Sequence, residues 1–262
     1  MEFSKKIDVC CFRGIINFFY HTGSYFIFLW RIVQKPEKSM PYFKQIVREI
    51  DKVGVSSVIL VMVISAFMGA VITLQTAFNL TLALMPKYVI GLGARDSMLL
   101  EFSSTMIALI LSGKVGSNIA SEIGSMRISE QIDALEIMGV NSAGYLVLPK
   151  IVASLFFFPL LTLMSMIIGI IGGYFATFLT DYVTTAQYIE GLHHTFNPFY
   201  ITYSLIKMFV FAFIISSVSS YQGYYVAGGS VEVGRASTRA VVYSDVLILL
   251  FNVILTKLLL EL

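Results

Sequence analysis

Long uncharged runs dominate the pattern along the chain. Val53–Pro86 holds 34 consecutive residues without Lys, Arg, Asp or Glu. A second apolar run, from about Ser97 to Ala120, contains a single acid, Glu101. Ile151–Thr180 is uncharged over 30 residues, Tyr200–Val231 is interrupted only by Lys207, and Ala240–Leu260 carries Asp245 and Lys257. A helix rising 1.5 Å per residue crosses the hydrocarbon layer in about 20 residues, so each run is long enough to span. Backbone polar groups have no water to bond in lipid, which favours helices. The predicted fold is an all-α integral membrane protein with about five transmembrane helices.

Residues 1–52 read differently. Gly14–Trp30 lacks formal charge but is rich in aromatics, with polar His21, Thr22, Gly23 and Ser24 in its middle. This suits a helix lying in the headgroup boundary, and an additional span over residues 14–33 is the alternative. After Pro36 and Pro41, the apolar positions Phe43, Ile46, Val47, Ile50 and Val53 recur at helical spacing opposite Lys44, Arg48, Asp51 and Lys52. Two regions follow: N-terminal interfacial helices over 1–52 and a transmembrane permease domain over 53–262.

Composition agrees. The chain is 57% hydrophobic and 13% charged with mean hydropathy +0.81, against a soluble norm of roughly 25% charged. Nine of the 18 Lys and Arg lie in residues 1–52, which places the N-terminus in the cytoplasm by the positive-inside rule. Five spans then put 121–150 and 232–239 inside, and 87–96, 181–199 and the C-terminus outside. No secretory signal is predicted. A net charge of +2 gives no argument for nucleic acid, and the adjacent Cys10 and Cys11 make neither a disulfide framework nor a metal site.

Candidate chemistry is sparse. Small residues recur every fourth position at Ser104, Ala108, Ser112, Gly116, Ala120 and Gly124, a stripe that lets helices pack closely in lipid. Gly169, Gly172 and Gly173 offer a second such contact. Glu101 is an intramembrane acid, of the kind that usually faces a partner or an aqueous cavity. Ile128, Ile132 and Leu135 form the apolar side of a short amphipathic helix whose other faces carry Glu122, Glu130, Asp133 and Glu136 against Arg127. That predicts a docking helix at about 122–138. Ser112-Gly113-Lys114-Val115-Gly116-Ser117 lacks the spacing of a phosphate loop, and no catalytic motif, metal cluster or cofactor site is predicted. His193 and His194 read as solvated loop residues.

Gly113-Lys-Val-Gly116-Ser117, Ala120-Ser-Glu122-Ile-Gly124-Ser-Met126-Arg127, Glu130-Gln131 and Met138 resemble the signature of the MlaE (YrbE-like) permeases of ABC phospholipid transporters. The likeness continues in Lys35-Pro36-Glu37, Val53-Gly54-Val55-Ser56, Leu74-Gln75, Pro159-Leu-Leu-Thr162, Gly172-Gly173 and Gly234-Arg235-Ala-Ser-Thr238-Arg239-Ala-Val-Val242. The resemblance implies a homodimeric, multi-pass permease of the bacterial inner membrane with an N-terminal elbow helix, moving phospholipid between inner and outer membranes to maintain lipid asymmetry. It implies a cytoplasmic ATPase seated on a coupling helix between the second and third spans, with Glu122, Arg127, Glu130, Gln131, Asp133 and Leu135 as contacts. It also implies a periplasmic MCE-domain (MlaD-like) partner and a lipid cavity lined by Ile72, Gln75, Asn79, Leu80 and Glu101. Such a permease hydrolyses nothing itself.

One place departs from the family. Where members commonly read Arg-Glu-Leu-Gly-Pro, this chain reads Leu100-Glu101-Phe102-Ser103-Ser104. The basic neighbour and the proline kink are both gone, leaving Lys87 and Arg95 as replacement cations. Two other classes compete: an ion- or proton-coupled channel or carrier using Glu101, and a non-transporting membrane scaffold. The first requires an intramembrane relay, and beyond Lys207 the chain offers little for one.

Overall fold

In a computed structural model of the chain, the described residues are 19–20, 22–32, 34, 39–80, 86–179 and 183–261. Among them the structure is helical nearly throughout, and no strand occurs. Residues 22–32 form α1. Helix α2 (Ser39–Glu49) passes through a widened, π-type stretch at Ile50–Val55 into α3 (Ser56–Leu80). The next column consists of α4 (Tyr88–Ser97), α5 (Ile107–Leu111) and α6 (Ser117–Ile128), joined by π-type stretches at Met98–Met106 and Ser112–Gly116. Then come α7 (Gln131–Ile137), α8 (Ser142–Ala176), α9 (Thr185–His193), α10 (Phe199–Tyr224) and α11 (Ser230–Leu260).

Five columns are long and apolar enough to cross a membrane: Lys44–Leu80, Tyr88–Ile128, Ser142–Leu179, Phe199–Tyr224 and Ser230–Leu260. The five expected spans are therefore present, but their bounds shift. Residues 87–96, read as an outer loop, lie almost wholly in α4 (Tyr88–Ser97), which continues the second column. Residues 232–239, read as an inner loop, belong to α11. Both segments carry charges that hid them from a hydropathy reading, because a helix continues past the apolar stretch wherever its backbone remains bonded.

Helix α10 is the centre. On α10, Met208, Phe211, Ala212 and Ile215 are fully buried in the main core with Ile107, Leu111, Phe158 and Leu161. Helices α3 and α11 lie outside and expose continuous apolar faces, such as Ile59, Val63, Phe67 and Val71 on α3 and Val246, Leu249, Leu250 and Val253 on α11. The described helix α1 spans 11 residues, about 16 Å, and is not among the five spans. It buries Phe28 and Ile32 against Tyr221 and Tyr224 while exposing Phe26, Ile27 and Trp30. That one-sided burial is the pattern of an interfacial helix. Residues 1–18 of the predicted entry region lie outside the described residues.

Close backbone approach sets the geometry of α3 against α8. A Cβ on Gly69 would overlap the Gly169 carbonyl, and one on Gly172 would overlap the Ala66 carbonyl. The Ser65 hydroxyl donates to Ser165 Oγ at 2.8 Å within this seam. The missing methyl groups allow the helices to pack on dispersion alone, which lipid does not oppose. Gly69→Val is expected to destabilise the protein by about 3 kcal/mol or more through overpacking. The check is the midpoint of thermal loss of the monodisperse peak in mild detergent, with the exposed Phe67→Val as the tolerated control.

Candidate functional site

The principal polar constellation inside the bundle forms where the second, fourth and fifth columns meet. Lys207, on α10, is fully buried. Its ammonium donates to Glu101 Oε1 at 3.0 Å and to the Tyr203 hydroxyl at 3.0 Å, with Thr256 Oγ1 at 3.3 Å. It also sits 4.7 Å from the centre of the Tyr203 ring, adding a cation–π contact. The other carboxylate oxygen, Glu101 Oε2, accepts from Asn252 Nδ2 at 3.1 Å. The Thr105 hydroxyl lies 3.1 Å from both Glu101 Oε2 and Asn252 Oδ1, so its one proton serves either.

The burial of the two charges is unequal. Lys207 has no exposed side-chain surface, while the Glu101 side chain is 40% exposed. The ammonium is thus enclosed and fully hydrogen-bonded, and the carboxylate forms the open side of the cluster. Each charge is affordable in lipid only because the other is present.

This arrangement answers the departure in the second column. Lys207 supplies the cation missing before Glu101, from a different helix. The expected substitutes do not. Arg95 is buried and directed to the outer loop, where it donates to the Leu192 and His194 carbonyls at 2.7 and 2.8 Å and pairs with Asp96 at 2.8 Å. It caps the end of α9. Lys87 is exposed at the start of α4. The lost proline kink is likewise replaced: Glu101 sits within the Met98–Met106 stretch, whose π-type turns bend hydrogen bonding without proline. Because α4 extends the column, Glu101 lies 13 residues, about 20 Å, from its start at Tyr88.

The remaining lipid-site candidates do not gather round this cluster. Ile72 is buried against Ala94, Met98 and Tyr188, Leu80 packs beside Ala77, Ile90 and Val183, and Gln75 and Asn79 stand exposed on α3. Glu101 draws its partners instead from α10, α11 and Thr105. The sequence reading passed over Tyr203, Asn252 and Thr256, although Tyr203/Lys207 and Asn252/Thr256 are i,i+4 pairs of polar residues in apolar spans, a spacing that puts each pair on one face.

The small-residue stripe lies wholly inside the protomer. Ser104, Ala108, Ser112, Gly116, Ala120 and Gly124 are all buried, and their neighbours are α10 and α11. A Cβ on Gly116 would meet Ser219 and Ile215, one on Gly124 would meet Val233, and one on Gly223 would meet the Ala120 carbonyl.

The predicted docking helix is two pieces. Helix α6 ends at Ile128, and Glu130 starts α7 in the left-handed region at φ 59°. Arg127 spans the break with a 2.6 Å bond to Asp133. Glu122 is turned inward: it accepts from Lys150 at 2.7 Å and Lys52 at 3.0 Å, and Lys150 also bonds Glu49 at 2.9 Å. This four-charge chain ties α2, α6 and α8 together. Leu135 packs on the main core and Ile132 is fully buried, whereas Glu130 and Gln131 are exposed. The outward apolar groups are Ile128, Ile137 and Met138, the last two 87% and 67% exposed.

Glu136 fastens α7 to the bundle. It accepts from the Tyr224 hydroxyl at 2.8 Å and from Ser142 at 2.9 Å. The Tyr224 hydrogen bond holds its carboxyl below the usual glutamate range against the opposing effect of partial burial. A carboxyl lowered by folding stabilises above its unfolded pKa and loses that contribution as pH falls through the folded one.

Among the described residues, five columns long and apolar enough to cross a membrane, packed round an enclosed ion pair, define a multi-pass membrane protein. The profile described as Permease MlaE matches residues 46–258. Among relatives, a probable ABC transporter permease protein of Rickettsia felis is 35% identical over 249 residues, covering 94% of this chain and 95% of the relative. The intermembrane phospholipid transport system permease protein MlaE of Haemophilus influenzae is 26% identical, covering 93% and 94%. The chloroplastic protein TRIGALACTOSYLDIACYLGLYCEROL 1 of Arabidopsis thaliana is 27% identical, covering 87% and 65%. The chain belongs to the MlaE family of ABC-transporter permeases.

Two outcomes follow. Removing Glu101 strands a fully enclosed ammonium, while removing Lys207 strands a carboxylate that is only partly enclosed and keeps Asn252 as a donor; Glu101→Leu is therefore expected to cost about 3 kcal/mol or more, exceeding Lys207→Met, and the double variant should recover most of the loss. Thermal midpoints of the three purified proteins check this. For Glu136, hydrogen exchange of the amides at 131–140 should stay slow at neutral pH and accelerate only on acidification below the ordinary glutamate range, with Glu136→Gln removing that dependence.

Proposed function

We propose that this chain is the membrane permease of an ABC transporter that moves phospholipid between the inner and outer membranes of a bacterial envelope. The observation that carries the reading is the Glu101–Lys207–Asn252 cluster: charged and hydrogen-bonding groups at an open edge, with partners on α11, whose other face is apolar and exposed. A phospholipid needs both, a polar seat for its headgroup and an apolar wall for its acyl chains. Membership of the MlaE family, and the phospholipid transport named for the Haemophilus relative, support that substrate.

The α7 end is assigned to the cytoplasm, since Arg31, Arg127, Lys52 and Lys150 gather there. An ATPase subunit seats on the exposed side of the α6–α7 elbow, with Glu130, Gln131, Ile137 and Met138 facing it and Arg127–Asp133 holding the elbow's shape. Leu135 and Glu122 act from within, as supports. ATP hydrolysis belongs to that separate subunit. Two copies of the permease join so that the open edge at Glu101 and the exposed Gln75 and Asn79 line a cavity between them, and an MCE-domain protein covers the outer end.

The test is affinity purification of the tagged chain in mild detergent. Recovery of an ATPase and of stoichiometric phospholipid is expected; a folded chain that retains neither overturns the reading. Ile137→Glu should leave the protein in the membrane and its bound lipid intact while lowering recovery of the ATPase roughly tenfold or more, as expected for loss of an apolar anchor.

A further inference from the structure

A second polar concavity lies at the other end of the same seam. It has a volume of about 440 Å3 and is lined by Lys52, Lys114, Ser117, Asn118, Ser121 and Ser237, among others. The walls come from the start of α3, the Ser112–Gly116 stretch with α6, and the start of α11. The Gly113-Lys-Val-Gly116-Ser117 signature therefore supplies a wall of a pocket although it forms no nucleotide loop.

The charges there are unequal. Lys52 is matched by Glu122, which also accepts from Lys150, and Lys150 is bonded in turn to Glu49. The Lys114 ammonium donates to the Ser56 carbonyl and, among the described residues, meets no carboxylate. Taken together, Lys52, Lys114 and Lys150 against Glu49 and Glu122 leave one positive charge in excess. That charge faces a cavity edged also by Ser121 and Asn118, while the Ser56, Ser117 and Ser237 hydroxyls donate to backbone carbonyls, so the Lys114 ammonium is the main attraction there for a phosphate oxyanion. The surroundings distinguish a lipid from a free ion. Immediately beside Ser56, Val55 and Ile59 are 54% and 72% exposed. An apolar wall on α3 therefore rises beside the anion seat, as acyl chains require.

We propose that this pocket is a second phospholipid site, taking the phosphodiester headgroup of a lipid in the leaflet at the α7 end, with Lys114 as its principal cation. It serves as the inner terminus of a route whose outer terminus is the Glu101–Lys207 cluster. The assignment rests on the phospholipid-permease reading and is separable from it.

The experiment is photo-crosslinking of the full chain in nanodiscs containing a phosphatidylglycerol that carries a diazirine near the glycerol, followed by peptide mapping. Labelling is expected on the segments around Ser56–Ile59 and Lys114–Ser121. Lys114→Gln should lower that labelling about tenfold, as loss of a charge-assisted contact does, while Lys114→Arg retains it and guards against misfolding. Phe67→Val, a change at an exposed position of α3 outside the pocket, should leave it unchanged. Labelling at these segments that ignores Lys114→Gln overturns the site, and so does full competition by inorganic phosphate, which would mark a soluble-anion pocket. Absence of label here with label retained near Glu101 refutes this site alone. Absence of label everywhere refutes the phospholipid reading as well.

Discussion

An ammonium with no exposed surface inside an apolar bundle constrains everything around it. Lys207 has to be neutralised and hydrogen-bonded within the protein, because lipid offers neither a counter-charge nor acceptors. Meeting that demand requires Glu101 from the second column, Tyr203 one turn away on α10, and Thr256 from α11. Three spans are thereby fixed in rotation and height at one level. The asymmetry of the pair then creates a site as well as a support, since the carboxylate is left partly open on the side where α11 is exposed.

Two further devices make that level reachable. Glycine and alanine along the second column let α10 and α11 approach until polar groups from three helices meet, and the Gly69/Gly169 and Ala66/Gly172 contacts do the same for α3 and α8. Widened turns at Met98–Met106 and Ser112–Gly116 flank the short α5 and turn side chains out of simple helical register. Both polar pockets touch one of these stretches. At the α7 end, Lys150 repeats the logic of Lys207 with two carboxylates in place of one, and it secures the base on which the elbow stands.

The five spans, the interfacial character of residues near α1 and the packing stripe were legible because each depends on local periodicity and on the cost of charge in lipid. Span bounds were not. Arg95, Asp96 and Arg235 sit inside helices that continue past the apolar run, held by tertiary contacts that no hydropathy window registers. Glu101 stood out as an isolated acid, yet its partner lies 106 residues away on another helix, and no neighbour in sequence announces the pairing. Ile72, carried over by position as a cavity residue, is buried against Met98 and Tyr188, a long-range contact that its place in the sequence does not express. The acidic helix looked like one docking surface; Glu122 instead answers Lys150, a long-range demand that sequence spacing cannot express.

The central claim is that the open carboxylate of an enclosed ion pair faces the transported lipid. The most direct measurement is ATP-driven phospholipid transfer by the reconstituted transporter carrying the exchanged pair Glu101→Lys/Lys207→Glu, alongside its thermal midpoint. The account predicts that the pair still forms and the protein stays folded, while transfer falls roughly tenfold or more because the charge presented at the open edge is reversed. A folded exchange variant that transfers lipid at the original rate would contradict it.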